Sequence, residues 1–155
     1  MIRTLALAVL LLLALLPAPV AAQAYPVDDS ASQVLDGNVR MRWDDPVPRP
    51  GAASTMTGRM TVIVRLDVSP WLGRTGRIYK KLAPQVQAPV RAQWTSRGVL
   101  QPGQLRDGER TLVYAGPIMT ATLEDTLQVT LQADGDRLPD HSRLEFTFEI
   151  ELEPQ

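Results

Sequence analysis

The sequence predicts an all-β protein in which two antiparallel sheets pack face to face. Several segments alternate apolar and polar residues with a period of two, as a strand with one buried face does. The clearest are residues 59–68, 125–133 and 143–152. Beyond residue 22, no segment sustains the 3.6-residue period of an amphipathic helix. Gly, Pro and Asp separate the alternating segments, as expected for the turns between short strands.

The first residues predict a signal peptide covering residues 1–22. Arg3 supplies a positive charge, and residues 5–16 form an apolar run that Pro17 ends. Cleavage is expected after Ala22, with cleavage after Ala24 as the second choice. The run is shorter than the roughly 20 residues that a membrane-spanning helix needs. We therefore expect an exported protein with no membrane span in the mature chain.

The absence of cysteine bears on the cellular compartment in which the protein is expected. With no cysteine in the chain, neither a lipid-anchored cysteine nor a disulfide can form. Exported eukaryotic domains of this size usually contain disulfides, so the composition favours the periplasm or cell surface of a Gram-negative bacterium. The formal net charge of −1 argues against electrostatic binding of nucleic acid.

The mature chain divides into an arm and one domain. Residues 23–37 are polar and rich in turn formers, and predict an extended N-terminal arm. Residues 38–155 predict a single β-sandwich domain whose strands come in this order: 39–43, 59–68, 76–82, 90–96, 110–116, 125–133 and 143–152. About seven short strands are typical of an immunoglobulin-like (Ig-like) sandwich. A small barrel is the alternative.

The last predicted strand is the most regular. Its apolar residues alternate with polar ones and share one face: Leu144, Phe146, Phe148, Ile150 and Leu152. Each contributes roughly 1.5–3 kcal/mol when fully buried. We expect this face to be buried within its own domain, while the outer edge of the strand is available for pairing with another chain.

No group of residues predicts catalysis, a cofactor or a metal. His141 is the only histidine, and no G-x-S-x-G nucleophile motif occurs. Thiolate ligands for zinc are absent because the chain has no cysteine. Asp134 and Asp136 flank a glycine and are interpreted as turn residues, with a weak calcium site as the alternative.

One segment, residues 69–81, combines a tryptophan with several cations. Trp71 is followed by Arg74, Arg77, Lys80 and Lys81. An exposed indole beside cations can stack on a sugar ring or bind an anionic glycan, which makes these five residues the candidate ligand or partner contact. In the alternative interpretation, Trp71 closes one end of the sandwich and the charged residues face solvent.

A signal peptide, an N-terminal arm, one sandwich domain and an amphipathic final strand together resemble the subunits of chaperone–usher pili. The absence of a disulfide is similar to the alternate branch of these systems. The resemblance implies a subunit or accessory of a cell-surface assembly that lacks one strand and accepts a neighbour's arm. Its partners would then be other subunits, bound by strand pairing. A periplasmic or secreted carbohydrate-binding module is the alternative, and an enzyme ranks third.

Overall fold

A computed structural model describes residues 23–35, 39–45, 47, 51, 54–84, 89–137 and 144–154. The predicted signal peptide and His141 lie outside these residues. The described part of the chain contains ten strands: β1 (Ala24–Val27), β2 (Gln33–Val34), β3 (Arg42–Trp43), β4 (Thr55–Asp67), β5 (Thr75–Leu82), β6 (Val90–Ser96), β7 (Gly103–Arg106), β8 (Arg110–Pro117), β9 (Thr122–Asp134) and β10 (Phe146–Leu152). A single 3-10 turn, Ser69–Trp71, precedes β5. Within the same residues, no helix is long and apolar enough to cross a membrane.

The strands form two antiparallel sheets, which confirms the all-β, two-sheet prediction. Sheet I has the order β1-β10-β5-β8. Sheet II has the order β2-β4-β9-β6-β7, with β3 pairing beside β2 on the same strand, β4. Successive strands from β7 to β10 alternate between the sheets, so each loop in that stretch crosses from one layer to the other.

The core lies between the two sheets and follows from the period-two alternation. Inward positions of sheet I include Ile78 and Ile150, and those of sheet II include Leu66, Trp94 and Leu127; all are at most 2% exposed. Apolar residues at every second position give each strand one face to bury, and this burial is the main favourable term in folding.

Strands β4 and β9 are the longest paired strands of sheet II. They pair over their full length, from Thr55 with Asp134 to Asp67 with Thr122. Residues 39–43, predicted as a strand beside them, contribute only β3. Val39 and Met41 instead pack over Gly58, where a Cβ atom would lie 2.5 Å from each of their side chains.

The segment predicted as an arm contributes strands to both sheets. β1 pairs with β10 in sheet I, and β2 pairs with β4 in sheet II. Between them, Asp28 bridges to Asp67 at the end of β4. Val27, at 6% exposure, is the residue of β1 that enters the core.

The final strand, β10, is buried as expected. It lies between β1 and β5, and Phe148 and Ile150 are 4% and 0% exposed. Leu144, Phe146 and Leu152 pack partly buried against the same core. This confirms the prediction that its apolar face is buried within its own domain. The expectation that its outer edge is available for pairing with another chain is wrong, because β1 of the same chain pairs along that edge.

Candidate functional site

The five predicted contact residues lie in three different environments. Along β5, Arg77 and Lys81 point outward from sheet I, while Lys80 points into the core. Trp71 and Arg74 precede β5, in the 3-10 turn and the residues after it. Adjacent residues of a strand face opposite sides of its sheet, so these residues cannot form one continuous surface.

Trp71 closes one end of the sandwich. It lies in the 3-10 turn that Pro70 favours at its start. The indole is half-buried against the core, and its ring centroid lies 6.4 Å from that of Tyr25 with an interplanar angle of 46°. This packing favours the structural interpretation of Trp71 over a flat, exposed platform for a sugar.

Arg74 is held by the loop that follows β8. The backbone N–H of Ile118 donates to the Arg74 carbonyl at 2.8 Å, and the N–H of Gly73 donates to the Ile118 carbonyl at 2.9 Å. Among the described residues, the buried Nε of Arg74 has no hydrogen-bond partner. Arg74 is therefore built into the end of the sandwich beside Trp71.

Arg77 and Lys81 face solvent and are already ion-paired. Arg77 lies 3.5 Å from Glu153, and the Lys81 Nζ lies 3.9 Å from Glu149. Exposed pairs of this kind contribute about 0–1 kcal/mol to stability. Their positive charges are locally neutralised on the outer face of sheet I.

Arg110 lies at the centre of the same outer face, and no pattern in the sequence distinguishes it from the other arginines. Its Nη1 donates to Glu149 at 2.8 Å and to Glu151 at 2.6 Å, and its guanidinium stacks 4.4 Å from the Tyr79 ring centroid. Hydrogen bonds to these two carboxylates raise the pKa of Arg110 above its ordinary value. These side chains converge because the register of β8, β5 and β10 places them side by side.

Lys80 is the least expected residue of the core. It is only 4% exposed, and its Nζ lies 4.6 Å from the ring centroid of Phe146, 4.8 Å from that of Trp94 and 5.9 Å from that of Phe148. We call these three rings the lysine cage. Burial lowers the pKa of Lys80 to about 8, and the negative charge of Asp29 acts in the opposite direction. No carboxylate of the described chain forms a salt bridge with it.

The lysine cage is a structural element. Desolvated lysines with a lowered pKa serve as nucleophiles in some enzymes, but that role requires access for a substrate. At 4% exposure, Lys80 is closed to solutes. Trp94 belongs to β6 of sheet II, whereas Phe146 and Phe148 belong to β10 of sheet I. The ammonium group of Lys80 therefore contacts rings from both sheets.

Asp125 is a second buried charged residue, and it organises a loop. It is 4% exposed. Its carboxylate accepts hydrogen bonds from Ser96 Oγ at 2.7 Å, Leu100 N at 2.7 Å and Thr126 N at 2.6 Å. The period-two pattern of β9, with Leu123 and Leu127 inward, would have placed this residue inside the sandwich.

An open groove of about 600 Å³ lies at the end of β4 where Asp28 meets Asp67. Both carboxylates accept hydrogen bonds within their own loops, from Ser30 and Ser69, and these bonds lower the pKa of each. Glu124, on the same groove, is paired with Arg65 at 2.7 Å. Across the described ranges, no cluster of three or more His, Cys, Asp or Glu residues could hold a metal ion.

Comparison with protein-family models, with curated proteins and with solved structures gives no match. The function must therefore be inferred from the geometry of the chain itself.

Proposed function

We propose that this chain is an exported, non-enzymatic domain that serves as a subunit or accessory of a cell-surface assembly in a Gram-negative bacterium. It joins its neighbours by exchanging the strand β1. The signal-peptide pattern of residues 1–22 supports export. The observation that carries the proposal is the position of β1, which is the outermost of the described strands in sheet I and, among them, pairs with β10 alone.

β1 is weakly held in its own domain. It has only four residues, of which Val27 alone is buried. Its pairing covers residues Phe148 to Glu151 of β10. Short elements with few buried apolar contacts open at low free energy, well below global unfolding. β1 can therefore detach while the rest of the sandwich stays folded.

β10 is well suited to accept a strand from another copy. It pairs with β5 along its full length, from Phe146 to Leu152, and keeps its apolar face in the core. When β1 leaves, β10 stays in place with an unpaired row of N–H and C=O groups. Another copy's β1 can restore the same contacts, so the exchange requires little beyond the entropy of association.

Pro26 favours exchange over simple addition at this edge. A proline has no backbone N–H, and a proline in an edge strand prevents further strands from pairing outside it. Pro26 lies in the middle of β1, opposite Glu149. Another chain is therefore poorly placed to add beyond β1, and replacing β1 is the route that remains.

The Ig-like part of the proposal is supported by the two packed antiparallel sheets. In constant-type immunoglobulin domains the last two strands share a sheet, whereas β9 and β10 lie in opposite sheets. The strand order thus differs from that of a constant-type immunoglobulin domain at this point. An immunoglobulin-like sandwich stays a prediction, with a small barrel as the alternative.

The carbohydrate-binding alternative at Trp71 has less support. It requires an exposed indole that shares a surface with the nearby cations. Trp71 instead packs half-buried beside Tyr25, and Lys80 faces the core.

A complementation experiment tests strand exchange. A mature chain lacking residues 23–28 loses the burial of Val27, worth about 2 kcal/mol, and should melt roughly 6–10 °C below the full mature chain. A synthetic peptide of residues 23–28, added in large excess, should bind this variant and raise its melting temperature. The matched control is the same peptide with Val27→Asp, which should not bind. An unchanged melting temperature together with no peptide binding would exclude β1 as an exchangeable strand.

A further inference from the structure

The outward side chains of sheet II form a broad polar surface. One cross-strand row runs over five neighbouring strands and contains, in order, Arg42, Thr57, Gln132, Arg91 and Arg106. Because neighbouring strands lie about 4.8 Å apart, this row is roughly 19 Å long. All of its members except Thr57 are exposed.

The next rows extend this surface with hydroxyl and amide groups. They contain Arg59, Thr130, Gln93 and Gln104, followed by Thr61, Gln128 and Thr95. We call the surface made by these rows the arginine face. Its side chains offer guanidinium, amide and hydroxyl groups.

Among the described residues, no carboxylate lies within ion-pair distance of the four arginines of this face, Arg42, Arg59, Arg91 and Arg106. The carboxylates on or beside this face are engaged with other groups, and one of them, Glu109, lines the same small groove as Arg91 and Arg106. Glu124 pairs with Arg65, Asp134 pairs with Arg137, Asp44 accepts from the Thr57 hydroxyl, and Glu109 accepts from the backbone N–H of Arg106. The outer face of sheet I differs, because its cations are paired with glutamates.

Arg91 and Arg106 face each other directly across β6 and β7. Like charges at directly opposite positions destabilise a sheet, so this arrangement opposes folding in the free protein. An anion placed between the two guanidinium groups would relieve the repulsion. Guanidinium groups bind carboxylates with two parallel hydrogen bonds.

We infer that the arginine face binds an acidic polysaccharide. The guanidinium groups contact its carboxylates, and the glutamine and threonine side chains bond to its hydroxyls. A nucleic acid fits less well because the three rows contain no aromatic side chain on which bases could stack. This face lies on the sheet opposite to β1 and β10, so the inference does not depend on strand exchange.

Affinity electrophoresis in gels containing polygalacturonate tests the inference. The mature wild-type protein should be retarded, and added salt should weaken the retardation. The double variant Arg91→Gln/Arg106→Gln should bind about tenfold more weakly for each arginine removed. Its melting temperature should be unchanged or higher, because the like-charge repulsion is gone. The matched control is Arg77→Gln, which removes an exposed arginine from sheet I and should not change the retardation.

Further probes separate the possible outcomes. Neutral dextran should cause no retardation. No retardation by polygalacturonate would overturn the inference, as would an equal loss of binding in Arg77→Gln. Tighter binding of a single-stranded oligothymidylate than of polygalacturonate would assign the face to nucleic acid instead.

Discussion

Replacing Lys80 with methionine should stabilise this protein at neutral pH. Lys80 carries an ammonium group into the core, where its exposure is 4% and no carboxylate of the described chain pairs with it. Methionine keeps a similar length and flexibility without the charge, so it can occupy the same space among the three rings of the lysine cage.

The expected magnitude follows from the lowered pKa. A change from 10.5 to about 8 corresponds to about 3 kcal/mol of unfavourable free energy for the buried ammonium. The three rings offset part of this penalty through cation–π attraction, which is worth at least about 0.5 kcal/mol at each ring and so at least about 1.5 kcal/mol together. Lys80→Met should therefore raise the free energy of unfolding by up to about 2 kcal/mol at pH 7, in the same direction as other replacements of buried charges by apolar residues.

The pH dependence gives an independent check. Between about pH 8 and 10.5, unfolded Lys80 holds its proton while folded Lys80 has largely lost it. The unfolded state then binds more protons, so the stability of the wild-type protein rises with pH through this window. Below pH 8, both states are protonated and the full penalty is present. The advantage of Lys80→Met should shrink by about 1–2 kcal/mol between pH 7 and about pH 9.5.

Urea denaturation at both pH values measures these differences. Lys81→Met is the matched control, because Lys81 is the adjacent lysine on the opposite, solvent-facing side of β5. It should change the free energy of unfolding by less than about 1 kcal/mol at either pH. If Lys80→Met destabilises the protein at pH 7, the ammonium is a net stabilising group. The burial argument would then be wrong.

Three further predictions concern the packing. Asp125→Ala should lower the free energy of unfolding by about 3 kcal/mol, because it leaves several buried N–H and O–H donors without a partner; Asp44→Ala, at an exposed site, should have little effect in the same urea titration. Trp71→Ala should lower the free energy of unfolding by about 2 kcal/mol, less than the roughly 3–5 kcal/mol expected for a fully buried aromatic. An unchanged melting temperature would instead favour the interpretation of Trp71 as an exposed platform for a sugar. Deleting residues 143–155 removes β10 from the interior of sheet I and should abolish the β-type circular dichroism spectrum; a folded product would mean that β10 is dispensable.

Most strands could be predicted because their apolar residues alternate. β9 and β10 have this pattern in full, and their structure follows it. β7 was missed because only Leu105 of its four residues is buried, and one residue does not establish a period. The strand expected at residues 39–43 is shortened to β3, because Val39 and Met41 pack over Gly58, a contact that only the folded chain shows.

The candidate sites were harder to predict than the strands. The alternation in β5 places Lys80 on the same side of the strand as Ile78 and Leu82. Because lysine is charged, it was nevertheless predicted to be a surface contact residue. Its burial depends on three aromatic rings that lie on two other strands, β6 and β10. The arginine face depends on the register between strands that are far apart in the sequence, since Arg42 and Arg106 share a row only through β4, β9 and β6. No local pattern carries that information.

Disulfide trapping tests strand exchange most directly. The chain has no cysteine, so a single engineered cysteine can form only an intermolecular bond. Ala24 on β1 is the register partner of Glu151 on β10, and directly paired residues have Cβ atoms about 4.5–5.5 Å apart. The test mixes a mature Ala24→Cys chain with a mature Glu151→Cys chain under mild oxidation. An Ala24→Cys chain mixed with Thr95→Cys, on the outer face of sheet II, serves as the control.

Strand exchange predicts a disulfide between the Ala24→Cys and Glu151→Cys chains, identified by mass spectrometry of the linked peptides. It should form well above the level of the Thr95→Cys control. Equal yields in the two mixtures, or no linked product in either, would contradict the proposal that β1 of one copy pairs with β10 of another.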